Sequence, residues 1–213
     1  MASAVDLKEM VYETIGEVYR KLKSLGVEVR DDYTSVLPSV ERTEGDPGYN
    51  PEKNIVYINP DSEELKDNLV AEAMHFLHCA TQGIIGRKPL WKYAHIDECV
   101  AGMGRLLMGT SDHVGLPKPL LRMLRDFKKM KEGTEEDSPS YYLLLEIMCR
   151  DLETHKIGYE LAEGVRRYGL ERFFRENPDF LRESYEEKER DVKRFVKHSA
   201  RANIRSRFAR RKR

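Results

Sequence analysis

Glu72, His75, His78 and Cys79 fall within eight residues of the segment "NLVAEAMHFLHCA", and at helical spacing they share one side of the chain with Asn68. Leu69, Val70, Ala73, Met74, Phe76, Leu77 and Ala80 take the other side, which is the expected core face. Imidazole, carboxylate and thiolate are the ordinary ligands of zinc. A catalytic zinc keeps three protein ligands and one water, from which a nearby carboxylate can take a proton. The same face also reads as a solvated helix surface carrying two histidines at chance spacing.

Glu98 and His155 join this set from elsewhere in the chain. On a helix starting near His95, Ile96, Val100, Met103 and Leu107 lie together, while Glu98, Ala101, Gly102 and Arg105 lie opposite. A carboxylate there sits among residues small enough to admit a ligand or another backbone, or is simply a surface neighbour of Arg105. His155 falls on the stripe Leu145, Cys149, Leu152, Tyr159, Ala162 and is expected to face the interior, as a proton donor or as a core histidine. His95, His113 and His198 carry only surface or loop roles.

The elements that would position these groups follow from periodicity and punctuation. Val5 to Leu25 places apolar residues at helical spacing, and Gly26 is its stop. From Val27 to Ile58, "VEVR", "TSVLPSVER" and "NIVYIN" are short β-like runs, and "TEGDPGYNPEKN" is a long turn between two strands. Helices are expected from Asp61 or Ser62 to about Thr81, from His95 to Met108, from Leu120 to Lys131, and from Tyr141 to Tyr168 with Ser140 as cap. Gly158 and Gly164 are weak points inside the last of these. "GLERFFRENP" adds a short helix ended by Asn177 and Pro178. The fold class is thus α+β, mainly helical, with a small N-terminal sheet and a basic helical C-terminal tail. Residues 1–180 are the globular domain, and 181–213 a helical or flexible tail.

Taken together, "NIVYIN", "NLVAEAMHFLH" and "HIDECVAGMGRLL", with "HKIGYELAEGVRRYG", "LERFF" and "NP" after them, resemble the gluzincin group of zinc metallopeptidases over roughly residues 50–180. The resemblance implies a zincin-like fold in which a strand precedes the H-E-x-x-H helix and a glutamate on a later helix completes the metal site. It makes Glu72 the general base, His75 the second histidine ligand, Glu98 the third ligand and zinc the cofactor. It also makes His155 a candidate catalytic donor. Ala71 stands where the first histidine belongs, and a methyl group cannot coordinate; His78, seven residues further along the helix, is a partial geometric substitute.

The formal charge of zero conceals a division. Ten of the 37 Lys and Arg lie in residues 193–213, which hold no acid, leaving 27 basic against 37 acidic residues in 1–192. Arg201, Arg205, Arg207, Arg210, Arg211, Lys212 and Arg213 are the expected contacts to a polyanion, whether RNA, the ribosome, an anionic membrane surface or an acidic protein. "MASAVDLKEM" does not read as a secretion signal, no run of about 18 apolar residues is present, and Cys79, Cys99 and Cys149 form no C-x-x-C pair. A soluble cytoplasmic protein with reduced thiols is expected.

Two functional readings follow. In the first, the chain is a metallopeptidase-like scaffold without a standard zinc site, non-catalytic because of Ala71, that uses its tail to bind nucleic acid or another anionic partner. In the second it is an active metal-dependent peptidase or amide hydrolase with a variant ligand set of His75 and Glu98, Glu72 being the base.

Overall fold

The computed structural model describes residues 4–88, 91–111, 118–133 and 138–211, with the backbone alone at 4–5, 91, 118–120 and 205–211. It is mainly helical with one small sheet, the α+β class expected. Helix α1, Ala4–Ser24, buries Leu7, Val11, Ile15, Val18 and Leu22 and ends at Gly26, whose φ of 82° is the left-handed conformation that glycine adopts without strain.

The sheet differs in detail from its sequence reading. Strands β1 (Ser39–Arg42), β2 (Gly48–Asn50) and β3 (Ile55–Ile58) are ordered β1-β3-β2, with β1 parallel and β2 antiparallel to β3. "VEVR" is not a strand: the Glu28 N–H donates to the Pro178 carbonyl at 2.8 Å and the Arg30 N–H to Thr81 Oγ1 at 3.2 Å. This satisfies the backbone without a ladder while Val27 and Val29 enter the core. "GYN", expected to be turn, pairs with β3, and Asn54 reverses the chain between them at φ 53°.

Helix α2, Leu65–Gln82, packs on α1, on β2 and β3, and on α3, Ala94–Met108. Gly83 and Gly109 close α2 and α3 in the left-handed conformation. Helix α4, Lys118–Glu132, leads to α5, Pro139–Tyr168; Ser138 takes the cap position, one residue after which Pro139 opens the helix, so Ser140 lies inside it. Helix α6, Leu170–Glu176, ends at Asn177. Helix α7, Tyr185–Arg211, runs through the expected tail, yet Tyr185, Val192 and Phe195 are buried. Lys188 is also buried, and its Nζ donates to the Glu183 carbonyl. The first half of α7 therefore lies in the same core as the helices before it.

Two glycines set how closely the site helices approach. At Gly158 a Cβ would lie 2.5 Å from Glu98 Cβ and 2.7 Å from the His95 carbonyl oxygen, so α5 rests directly on the α3 backbone. At Gly104 it would lie 2.0 Å from Met74 Cγ, so the Met74 side chain of α2 fills the space a side chain at 104 would need. Gly158, read from sequence as a weak point, is a required contact. No helix of the described residues is long and apolar enough to cross a membrane, and Cys79, Cys99 and Cys149 are free and buried.

Candidate functional site

A cavity of about 270 Å³ opens where α2, α3 and α5 converge beneath the edge strand β2. Glu72, His75, Glu98 and His155 all line it, together with Tyr49, Asp97, Arg105 and Tyr159. The carboxylate-imidazole pair of α2 thus faces the carboxylate of α3 and the imidazole of α5. The strand at the rim is β2, with Gly48 and Tyr49, and not the "NIVYIN" strand β3, which is central in the sheet.

Glu72 is only 6% exposed, and its Oε2 has no hydrogen-bond partner among the described residues. Burial pushes its carboxyl above the ordinary range, because removal from water penalises the charged form more than nearby His75 and Arg105 restore it. A buried carboxyl oxygen without a partner costs stability, and a bound proton, cation or polar substrate relieves that cost.

Glu98 and His155 form a pair, with Nδ1 of the imidazole 2.9 Å from Oε2 of the carboxylate. Contact with Glu98 raises the His155 imidazole above its usual value against the opposing effect of burial. Burial alone would push Glu98 up, but His155, His75 and Arg105 together outweigh it and hold the carboxyl below the ordinary range. The cavity therefore contains an imidazole-carboxylate pair biased toward its charged forms beside a carboxyl biased toward its neutral form.

Arg105 donates from Nη1 to Tyr159 Oη at 3.1 Å, and its guanidinium lies 5.7 Å from the centre of that ring. Its Nε is 3.3 Å from Asp67 Oδ2 without an aligned hydrogen bond. Asp67 is fixed in turn by Thr110, whose hydroxyl donates to Oδ1 at 2.8 Å. Arg105 and Tyr159 were not singled out from sequence, although both were legible. Arg105 shares the Glu98 face of α3, and Tyr159 follows His155 by four residues on α5.

His78 does not belong to this site. Each step of three residues turns a helix by about −60°, so His78 stands roughly 120° around from Glu72. It is fully buried between α2, α3 and α7, with Nδ1 3.1 Å from Asp97 Oδ1, too poorly aligned to be a hydrogen bond, and its ring edge-on to Tyr185 at 5.7 Å. Burial pushes its imidazole below the usual value, against the opposing pull of the Asp97 carboxylate. Asp97 also lines the cavity; its burial works against the charged form, but the neighbouring His78, His75 and Tyr185 outweigh it and hold the carboxyl below the ordinary range.

The expected zinc centre meets a difficulty of arrangement. Ala71 is buried in the core, His78 faces away, and Glu98 already contacts His155. Among the described residues no three His, Cys, Asp or Glu side chains are gathered closely enough to hold a metal ion, so those present do not by themselves fit a three-ligand zinc. In the tail, Arg201 is exposed. The side chains of Arg205, Arg207, Arg210 and Arg211, and the whole of Lys212 and Arg213, lie outside the described residues.

No protein-family model, curated protein or solved structure matches the chain. The gluzincin resemblance accordingly stands on its sequence motifs.

Proposed function

We propose that the cavity is the reacting centre of a hydrolase acting on a peptide or related amide. Glu72 is its general base and the His155-Glu98 pair its proton donor. The observation that carries this reading is the convergence in one cavity of a buried carboxyl with one oxygen unpartnered and an imidazole in contact with a second carboxylate. A raised carboxyl pKa makes the ionised form of Glu72 a stronger base for taking a proton from water. The resulting hydroxide adds to the carbonyl carbon, and His155, charged through its contact with Glu98, can pass a proton to the departing amine. Arg105 and Tyr159 supply donors on the same wall, where negative charge would develop on the carbonyl oxygen.

The choice of a peptide rests on two supports. One is the resemblance of the motifs. The other is the position of β2 at the sheet edge with Gly48 and Tyr49 on the cavity rim, since an edge strand can receive an extended backbone by main-chain pairing.

The test is hydrolysis of a panel of short peptides and N-acyl amides, read by mass spectrometry, with metal analysis of the same preparation. Wild type should cleave members of the panel, and Glu72→Gln should lose roughly 100-fold or more of that rate. A Glu72→Gln variant as active as wild type, or a wild type inert across the panel, would refute the proposal. Zinc in a one-to-one ratio, lost in His75→Ala, would instead favour the metal-dependent form of the chemistry with His75 and Glu98 as ligands.

A second role is supported by the tail. Lys193 and Arg194 are paired with Glu189 and Asp191, but beyond Ser199 the helix leaves the core, and residues 201–204 are exposed along a segment whose charges are all positive. We infer that this end of α7 binds a polyanion such as RNA by counterion release.

A further inference from the structure

Helix α5 is 30 residues long, and its two halves have different surroundings. The second half carries His155 and Tyr159 and packs on α3, α6 and α7, whereas the first half covers α4, and α4 packs mainly on α5. In that first half Leu145 and Cys149 face inward. About 180° around the helix, Leu143, Leu144 and Ile147 are 56%, 51% and 58% exposed. Most of the large apolar side chains left exposed among the described residues lie on these two helices, Met123 and Met130 of α4 included. A helix apolar on both faces, as this half of α5 is, has one face without a partner among the described residues.

We propose that α4 and the first half of α5 form a self-association arm on which a second copy of this chain docks about a two-fold axis. The two hairpins then make an antiparallel four-helix arrangement centred on Leu144 and Ile147. Charge selects a second copy as the occupant. Between Lys118 and Glu132, α4 carries six Lys or Arg (Lys118, Arg122, Arg125, Lys128, Lys129 and Lys131) against Asp126 and Glu132. The α5 stripe is flanked by Glu146 and Asp151, the latter also 3.9 Å from His155 Nε2 of its own chain, against one basic residue on the stripe, Arg150. Lys128 is already paired with Glu153 of its own chain, while Arg122, Arg125 and Lys129 lie on the outward side of α4. In a four-helix arrangement each α4 borders its own α5 and the partner's α5. The basic face of one copy thereby meets the acidic flank of the other, twice by symmetry. An apolar centre with a charged rim of alternating sign is the usual anatomy of such an interface.

Sedimentation equilibrium of the full chain over two decades of concentration tests this. Wild type should show a reversible monomer-dimer equilibrium. Ile147→Glu should weaken it at least tenfold without changing the circular dichroism spectrum or, at concentrations where wild type is monomeric, the melting temperature, because that side chain is exposed in the monomer. Reversing Arg122, Arg125 and Lys129 to glutamate should weaken association, and adding Glu146→Lys and Asp151→Lys should restore it, a recovery that only cross-copy pairing produces. A wild type that stays monomeric throughout, or a dimer indifferent to Ile147→Glu, overturns the proposal. Monomeric protein that instead pellets with phosphatidylserine-phosphatidylcholine vesicles through the same residues overturns it as well.

Discussion

Replacing Gly158 with alanine adds one methyl group at the crossing of the two helices that carry Glu98 and His155. The new carbon would stand 2.5 Å from Glu98 Cβ, 2.7 Å from the His95 carbonyl oxygen and 3.0 Å from the Cys99 nitrogen. Carbon contacts settle near 3.5–4.0 Å, so the helices must part by about 1 Å. Two of the three obstacles are backbone atoms of α3, and no side-chain rotation relieves them. Overpacking of this kind costs about 1–3 kcal/mol, against which alanine gains at most ~1 kcal/mol of helix propensity. A net loss of roughly 1–2 kcal/mol should lower the melting temperature by about 2–8 °C in a chain of this size. Gly164→Ala is the control, since its added carbon would meet Val196 Cγ2 at 3.2 Å, a side chain able to shift, and its stability should change little. Thermal unfolding followed by circular dichroism measures both. Separation of α3 from α5 should also lengthen the 2.9 Å His155-Glu98 contact, so the His155 imidazole should titrate at lower pH by NMR. A Gly158→Ala protein as stable as wild type, behaving as an exposed helix glycine would, refutes the close crossing and the site geometry built on it.

Glu98→Gln removes the contact that raises His155, so its imidazole pKa should fall in an NMR titration. The wild-type pair stabilises the fold fully above the unfolded glutamate value of about 4.3 and below the unfolded histidine value of about 6.5. Stability is lost as pH rises through the raised folded value of His155 or falls through the lowered value of Glu98. The variant should therefore differ most from wild type between those limits, by about 1 kcal/mol, a figure kept small because the His155 side chain is one-third exposed. Glu72→Gln should act in the opposite sense. Because the folded pKa of Glu72 is raised, wild type loses stability as pH climbs from about 4.3 through that value. Denaturant titrations should show the variant's advantage growing over that range to roughly 0.5–2 kcal/mol while hydrolysis disappears. In the tail, changing Arg201, Arg205, Arg207 and Arg210 to glutamine should flatten the dependence of log K on log salt for single-stranded RNA by about 0.7 per phosphate contact removed. An unchanged slope would exclude these residues from the contact.

Helix boundaries were largely written in local chemistry. The apolar spacing of α1, α2 and α3 and their closing glycines at positions 26, 83 and 109 need only the period of a helix and the left-handed turn that ends it. The short β segments were less legible, because the pairing partner, near or far along the chain, decides whether three or four residues become a strand. "GYN" found β3 beside it, whereas "VEVR" found Pro178 and Thr81.

The types of the groups in the cavity were also determined by the sequence itself: a carboxylate and an imidazole one turn apart on α2, with Glu98 and His155 on later helices. Their relation to one another was not. Which face of α2 His78 joins depends on the progressive rotation of an i, i+3 series, and that rotation turns it out of the cavity only because α3 and α7 stand where they do. The Glu98-His155 pair exists because Gly158 lets two backbones touch across 57 positions of chain, a contact that no local preference encodes. Composition and period are properties of neighbours in the chain. The charge state of a buried group belongs to whatever packing brings beside it, and for Glu72 that is a cavity wall with no partner for its second oxygen.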